Sequence, residues 1–374
     1  MKTKTDLALF YLARRNEGIK SFRRFIESYK RNRPGCDHKL VVIYKGFENT
    51  KDLHEAKKAF SSLSHEAVLV NDTHFDIGAY LEASACIQSE YVCFVNTHTE
   101  VLAQDWLLHL RTAMDVDNIG MAGATASFES LYDSLALTSK VVWLASNNLI
   151  PYESETAEYY KYLLEMHCPT WWTRKNRRHV PRTIGVQTHR MIDERWDETW
   201  RGHISPNGVF EFLYGFPRFP NPHIRSNGFI LRRDLLLEFF SDLPPTKKAA
   251  YSFESGPDSL SARIVRRGLK LAMVSKDGRV RLSENWMACK GFRLGDQSDL
   301  LLGDNQTRGF LGYSEPEQLT HVLMSWGEAA CQPRGACPLR FVFDPNSSPR
   351  AGTGEGSLPG HIIDHSYYGI PMVA

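Results

Sequence analysis

Residues 89–101, Ser89–Glu–Tyr–Val–Cys–Phe–Val–Asn–Thr–His–Thr–Glu–Val101, join an apolar run to a polar turn. The apolar part, Tyr91–Val95, has the length and composition of a strand that is buried on both faces of a sheet. The polar residues Asn96–Glu100 follow at once. Because ligands of open α/β sheets bind beyond the carboxyl ends of the strands, this turn is the first candidate for a binding site.

The first third of the chain repeats this pattern, with short apolar runs separated by segments of helical periodicity. Phe22, Phe25 and Ile26, for example, recur at the spacing of one helix face. The other predicted strands here are Leu7–Ala13, Leu40–Tyr44, Ala67–Val70 and Ile119–Ala122. Strands that alternate with helices pair in parallel through right-handed crossovers. The sequence therefore predicts an α/β fold with a mostly parallel central sheet flanked by helices.

Strand and helix patterns resume after residue 222. Ile224–Arg232 and Leu269–Val274 are predicted strands, and Ser259–Arg267 is a predicted helix. This assignment puts Asp258 at the cap of that helix and Glu254 in the loop before it.

The charge balance and the composition exclude several classes of protein. The chain has 374 residues, 42% of them hydrophobic, and a net charge of only +2, so we expect a folded protein that does not bind nucleic acid or membrane by bulk charge. No apolar stretch of about 18 residues predicts a spanning helix. We therefore expect a cytoplasmic protein, with peripheral attachment to a membrane as the alternative. No CxxC pair occurs among the seven cysteines, which argues against zinc-ribbon and thioredoxin-like sites.

Common nucleotide and hydrolase signatures are absent from the sequence. No GxxxxGK[ST] occurs, no GxGxxG follows the first predicted strand, and there is no GxSxG. These absences argue against a P-loop NTPase, a dinucleotide-binding Rossmann domain and a serine hydrolase.

Four segments together resemble a known family. They are Asp76–Tyr80, Ser89–Val101, His223–Arg233, and Phe253–Asp258 with the later Arg263 and Gly268. In this order they resemble the core of family-2-type, rhamnosyltransferase-like glycosyltransferases with the GT-A fold. The resemblance implies transfer of a sugar from a nucleotide-sugar donor, UDP- or dTDP-linked, to a hydroxyl acceptor, with inversion as the tendency of the family.

The resemblance also implies a divalent metal at the end of the strand Tyr91–Val95, but the motif is degenerate. Asn96 and His98 stand where the family has acids, and Mg²⁺ and Mn²⁺ prefer oxygen ligands. His98 and Glu100 are the candidate metal ligands. His98 is equally a candidate to contact the diphosphate directly, or to be a polar residue of a solvated loop, so the sequence leaves metal use open.

The predicted contacts to the nucleotide sugar come from the ends of several strands and from one later segment. Asp76 is matched to an acid that contacts the nucleoside, and it also suits a helix start. Arg308 lies in the polar segment Trp286–Phe310, which is either a loop over the donor or a solvated loop with Asx-turns. The full set of predicted donor contacts is Arg14, Asn16, Lys45, Asp76, Asn96, Thr97, His98 and Arg308.

A carboxylate is required to accept the proton of the attacking acceptor hydroxyl. The family match favours Asp258 as this general base, and Glu254 is the second candidate. Capping of the following helix is the alternative role for Asp258.

A basic and aromatic insertion is predicted at about 166–192, and it contains the stretch Trp171–Arg190. Such a stretch suits a glycan, lipid-linked or phosphate-rich acceptor, and it equally suits DNA. Transfer to modified bases of DNA is therefore an alternative function, and an exposed loop of balanced charge is the plain interpretation. A degenerate domain that only binds its ligand is the non-enzymatic alternative. The predicted domains are 1–275 for catalysis, 276–344 as an elaboration and 345–374 as a flexible tail.

Overall fold

The computed structural model describes residues 6–72, 75–131, 133, 215–239, 247–327 and 330. The chain divides into two compact units, Met1–Ser127 with Pro222–Gly312, and Phe128–Asn221 with Tyr313–Ala374. The first unit contains the central sheet. Within the described ranges, no helix is both long and apolar enough to cross a membrane.

The strands and helices of the first unit are numbered in chain order. Its strands are β1 Leu7–Arg14, β2 Lys39–Lys45, β3 Glu66–Val70, β4 Tyr91–Val95, β5 Glu100–Val101, β6 Ile119–Gly123, β7 Ala126–Ser127, β8 His223–Ile224, β9 Phe229–Arg232, β10 Lys270–Val274, β11 Val280–Leu282 and β12 Leu302–Gly303. Its helices are α1 Gly18–Arg31, α2 Thr50–Phe60, α3 Asp76–Cys86, α4 Trp106–Ala113, α5 Arg233–Leu237, α6 Lys247–Ser255, α7 Leu260–Arg266 and α8 Asn305–Leu311. Short 3-10 helices cover Arg15–Glu17 and Ser283–Ala288.

The central sheet has eight strands in the order β11-β10-β6-β9-β4-β1-β2-β3. β1 pairs in parallel with β2 and β4, β2 with β3, and β6 with β10. β9 is antiparallel to both of its neighbours, and β11 is antiparallel to β10 at the edge. The predicted α/β class with a mostly parallel central sheet is confirmed, and one antiparallel strand is inserted in the middle.

The two faces of the sheet are covered by different aromatic clusters, because successive side chains of a strand point to opposite faces. On one face Tyr11 stacks on Phe25 of α1 at 4.0 Å between ring centroids and lies 5.4 Å from Phe60 of α2. On the other, Phe10 stacks on Phe94 of β4 at 5.1 Å. All of these rings are buried, which explains why β1 and β4 are apolar along their whole length.

The predicted single strand Ile224–Arg232 is wrong. β8 ends at Ile224 and pairs with β7, whereas β9 begins at Phe229 and joins the central sheet. The two strands are separated by a tight turn in which Gly228 has a φ of +71°. A left-handed backbone of this kind cannot continue a strand, so the chain changes sheets here.

The start of α7 also differs from the prediction. Ser259, not Asp258, is the N-cap residue, and its side chain accepts a hydrogen bond of 3.2 Å from the Ala262 N–H. Glu254 lies inside α6 rather than in a loop.

Replacement of Gly228 with Ala is expected to lower the free energy of unfolding by about 2–5 kcal/mol, as measured by urea denaturation. The new Cβ would lie 2.5 Å from Cδ1 of Leu302 and 3.0 Å from Cβ of Ala124, in addition to the cost of the positive φ. Gly268→Ala is the matched control, because Gly268 has a φ of +76° but no atom within 4 Å of the new Cβ. It should cost about 1–2 kcal/mol. Equal losses for both variants would contradict close packing around Gly228.

The described part of the second unit contains helix α9, Glu315–Trp326. The Phe128 N–H donates to the Ser325 carbonyl at 2.8 Å, and the Phe128 ring lies edge-on to Trp326 at 5.5 Å. Asp133 accepts hydrogen bonds from the Phe219 N–H and from Nε of Arg218. Burial raises the pKa of Asp133 despite these contacts.

Candidate active site

The order of the central strands creates a crevice between the carboxyl ends of β1 and β4. The chain moves from β1 outward to β2 and β3, and then returns to β4 on the other side of β1. The connections leaving β1 and β4 therefore diverge, and such a switch point is where open α/β sheets bind ligands. Arg14 ends β1, and the turn Asn96–Glu100 follows β4, so predicted site residues border this crevice from both sides.

Thr97 anchors the turn to the end of β1. Its hydroxyl donates to the Leu12 carbonyl at 2.6 Å and accepts from the Arg14 N–H at 3.3 Å. The Tyr11 hydroxyl donates to the Thr97 carbonyl at 3.0 Å. Thr97 is buried, so its side chain shapes the crevice by holding β1 and β4 together.

Asn96 and Asn227 together set the conformation of the turn. Oδ1 of Asn96 accepts from the His98 N–H at 2.9 Å. Oδ1 of the buried Asn227 accepts from the Asn96 N–H at 3.0 Å and from the Thr99 hydroxyl at 2.7 Å. The amide in place of the expected acid is thus used to fold the turn. Asn227 was missed by the sequence analysis, and the only signal for it was the Asn–Gly pair at residues 227 and 228.

His98 faces an acid from the neighbouring connection. Nε2 of His98 lies 3.2 Å from Oε2 of Glu17, which belongs to the 3-10 helix after β1. The predicted donor contact Asn16 is exposed in the same 3-10 helix. The pairing of His98 with Glu17 spans the mouth of the crevice.

Arg14 holds an unsatisfied polar atom at the crevice. Its Nε is buried and makes no hydrogen bond within the described part of the chain. The nearest acids, Asp72 and Glu17, each approach the guanidinium only to 3.9 Å. A buried guanidinium N–H without an acceptor is costly, so an anion placed here gains a charge-assisted hydrogen bond.

Lys45 lies at the end of β2 with only 1% of its side chain exposed. Its Nζ forms an ion pair of 2.8 Å with Oδ1 of Asp72, which follows β3. Burial of an ammonium requires such a partner. Lys45 therefore contributes positive charge beneath the carboxyl edge of the sheet, next to Arg14.

Arg308 clamps the outer side of the turn from α8. Both of its terminal nitrogens donate to the His98 carbonyl at 3.2 Å, and Nη1 lies 3.5 Å from Oε2 of Glu100. Burial and the nearby Arg24 guanidinium lower the pKa of Arg308. The polar segment around Arg308 is thus ordered structure, and it contacts the turn 210 residues earlier in the sequence.

A buried ion pair supports α8. Asp304 caps this helix, and its Oδ1 accepts from the Thr307 N–H at 2.8 Å while Oδ2 lies 3.3 Å from Nη1 of Arg225. Burial alone would raise the pKa of Asp304, but the Arg225 charge and the Thr307 N–H reverse this and hold the pKa below its usual value. Arg225 was not identified from the sequence.

The residues of the turn do not fit a resident Mg²⁺ or Mn²⁺. Glu100 already lies between two guanidinium groups, 3.6 Å from Arg31 and 3.5 Å from Arg308, and these would repel a cation. His98 faces Glu17 instead of Glu100. Across the residues whose placement is described, no group of three or more His, Cys, Asp or Glu side chains could hold a metal ion.

The two candidate bases have different surroundings. Glu254 is half-buried, and the pKa of Tyr80 is raised first by burial and then by the charges of Asp76 and Glu254, which places both acids near the Tyr80 hydroxyl. Asp76 begins α3 at the carboxyl edge of the sheet, so Glu254 lies at this same edge. Asp258 is 66% exposed and pairs with Nη2 of Arg266 at 2.6 Å.

Two predicted regions lie outside the described residues. They are the insertion at about 166–192 and the tail 345–374. The DNA and acceptor contacts expected of Trp171–Arg190 therefore stay predictions.

Comparison with known proteins yields likenesses of structure only. No family model matches the chain, and no curated protein matches it. A crystal structure of residues 1–349 of S. aureus TarS is 14% identical, with a TM-score of 0.26 over 32% of this chain and 34% of that one. The 4-diphosphocytidyl-2C-methyl-D-erythritol synthase from Anaerococcus prevotii is 13% identical, with a TM-score of 0.26 over 33% of this chain and 56% of that one. This chain thus spans about a third and just over half of those two chains, and at this TM-score neither likeness bears on its function.

Proposed function

We propose that the protein transfers a sugar from a nucleotide-sugar donor to a hydroxyl acceptor at the crevice between β1 and β4. The observation that carries this proposal is the convergence of Arg14, His98 and Lys45 on the switch point of the sheet, with a buried Arg14 Nε that has no acceptor among the described residues. The crevice is a ligand position by topology, and its charges suit a diphosphate.

Arg14 and Arg308 are the cations proposed to stabilise the departing nucleoside diphosphate, with His98 as a hydrogen-bond donor. No step is assigned to a metal, because the turn does not fit one. Positive groups fixed before the reaction stabilise charge that develops on the leaving oxygen. The donor nucleotide is proposed to be UDP- or dTDP-linked.

Glu254 is the proposed general base. The acceptor oxygen forms a bond to the anomeric carbon of the donor, and its proton passes to the Glu254 carboxylate. The bond between the anomeric carbon and the diphosphate oxygen breaks, and the electron pair leaves with the diphosphate. A single displacement of this kind inverts the anomeric centre. We prefer Glu254 to Asp258 because the Asp258 carboxylate is exposed and already paired with Arg266.

Replacement of Arg14 with Met is expected to raise the Kd for UDP or dTDP about 10- to 100-fold, as measured by calorimetry in EDTA. The variant removes the guanidinium that faces the crevice and keeps a long side chain. Arg15→Met is the matched control, because Nε of Arg15 is paired with Asp52 at 2.7 Å away from Arg14. It should change the Kd by less than about threefold, since that pair is exposed. Unchanged affinity in Arg14→Met, or binding only after Mn²⁺ is added, would overturn the proposed site.

A further inference from the structure

A strongly basic cleft runs along one face of α1. It has a volume of 560 Å³ and is lined by Ile19, Lys20, Arg23, Arg24, Glu27, Ser28, Arg31 and Glu100. Its charged residues on α1 recur at intervals of three and four, so they share one helix face. Residues 14–33 contain eight Arg or Lys against two Glu, although the whole chain has a net charge of only +2. The near-neutral total therefore conceals a local concentration of positive charge.

Three cations of this cleft are not neutralised by the protein. Lys20, Arg23 and Arg24 make no ion pair or hydrogen bond with any other described residue. Arg24 is also half-buried, so its charge is partly removed from water without compensation. Surface arginines are usually solvated or paired, and a half-buried unpaired one is best explained by an anion that is supplied from outside.

Like charges are held together at the end of the cleft nearest to the turn. The Arg24 guanidinium is close enough to Arg308 to contribute, after burial, to the lowered pKa of Arg308. Glu100 is shared between Arg31 and Arg308, so it is already neutralised. Glu27 is exposed on the same face and offsets only part of the positive charge.

We propose that this cleft binds a linear phosphate-linked polymer that lacks nucleobases. From Lys20 to Arg31 the helix rises about 16 Å, more than a single phosphate group occupies. Planar guanidinium groups bind phosphate oxygens in a bidentate manner, which suits successive phosphates along a chain. The cleft lining contains no aromatic side chain on which bases could stack, which disfavours single-stranded nucleic acid.

The position of the cleft links such a polymer to the crevice. Glu100 lines the cleft, and His98 lies two residues before it in the turn. A bound chain could therefore present its hydroxyl groups beside the donor. Only this acceptor role rests on the proposed function, because binding of the polymer needs no donor.

The test compares two fluorescein-labelled chains of equal length, one of abasic deoxyribose phosphates and one of oligothymidylate. Fluorescence anisotropy without donor nucleotide should give Kd values for the two within about threefold. The triple variant Lys20→Gln/Arg23→Gln/Arg24→Gln should weaken binding of the abasic chain at least tenfold. It should also reduce the slope of log K against log salt by about 2, since each lost phosphate contact in a single strand removes about 0.7.

The matched control is Lys51→Gln/Lys57→Gln/Lys58→Gln on α2, which removes the same charge from exposed lysines outside the cleft. It should leave the affinity within about twofold, and thermal unfolding checks that both variants fold. Equal weakening by the two triple variants would show non-specific attraction and overturn the proposal. At least tenfold tighter binding of oligothymidylate would overturn it in favour of nucleic acid. Loss of donor binding in Arg14→Met with intact polymer binding would separate this site from the crevice.

Discussion

Replacing Glu254 with Gln is expected to lower the rate of sugar transfer by about 10²- to 10⁴-fold, because the amide cannot accept the proton of the acceptor hydroxyl. The affinity for the donor nucleotide should not change, since the proposed donor contacts come from Arg14, His98 and Arg308. The initial rate of nucleoside diphosphate release, at saturating donor, measures the first effect. Calorimetry with UDP or dTDP measures the second.

The control for this experiment is Asp258→Asn. Its carboxylate is 66% exposed and bound to Arg266, so transfer should fall by less than about twofold if it only makes a surface ion pair. Full activity in Glu254→Gln together with inactive Asp258→Asn would reverse the assignment of the base. Full activity in both variants would mean that neither carboxylate accepts the proton.

Replacing Asp304 with Asn is expected to lower the free energy of unfolding by about 3–5 kcal/mol. Asp304 is 2% exposed, and the variant leaves the buried Arg225 guanidinium without a counter-charge. Asn is still a good N-cap residue, so the loss isolates the charge rather than the cap of α8. Urea denaturation at neutral pH measures the change. Asp296→Asn in the same segment is the control, because Asp296 is exposed and the variant should unfold like the wild type.

The stability difference between wild type and Asp304→Asn should depend on pH in one direction. The pKa of Asp304 is lower in the folded protein than in the unfolded chain. Its contribution is therefore fully present above the unfolded pKa of about 4 and is lost as the pH falls through the lower folded value. Adding Arg225→Met to Asp304→Asn should restore part of the stability, because no unpaired charge then remains buried. A double variant less stable than Asp304→Asn would contradict this account.

Much of the first unit follows from local sequence patterns. The buried runs at β1, β2 and β4 predict their strands to within one residue at each end, because a strand covered on both faces must be apolar throughout. The face formed by Phe22, Phe25 and Ile26 predicts α1 for the same reason. The polar turn after β4 also identifies the functional edge of the sheet before any contact is known.

Strand direction and pairing partners were not available from those patterns. An apolar run has the same composition whether it is parallel or antiparallel, so β9 could not be oriented from its sequence. The break between β8 and β9 depends on the turn at Gly228, and a lone glycine in a strand pattern is an ambiguous signal. The helical position of Glu254 was missed because the apolar spacing in this segment is weak.

The sequence by itself determined the α/β class, most of the strands and the edge at which polar residues gather, since these depend on hydrophobic periodicity along the chain. Only the tertiary structure decided which charges are neutralised. Arg14 and Arg15 are adjacent and chemically identical, yet Arg15 pairs with Asp52 whereas Arg14 faces the crevice with its Nε unsatisfied. Arg225 and Asp304 are joined across 79 residues, and Lys20, Arg23 and Arg24 stay unpaired along α1. Electrostatic energy depends on distance and burial in space, and neither quantity is encoded in the local order of residues.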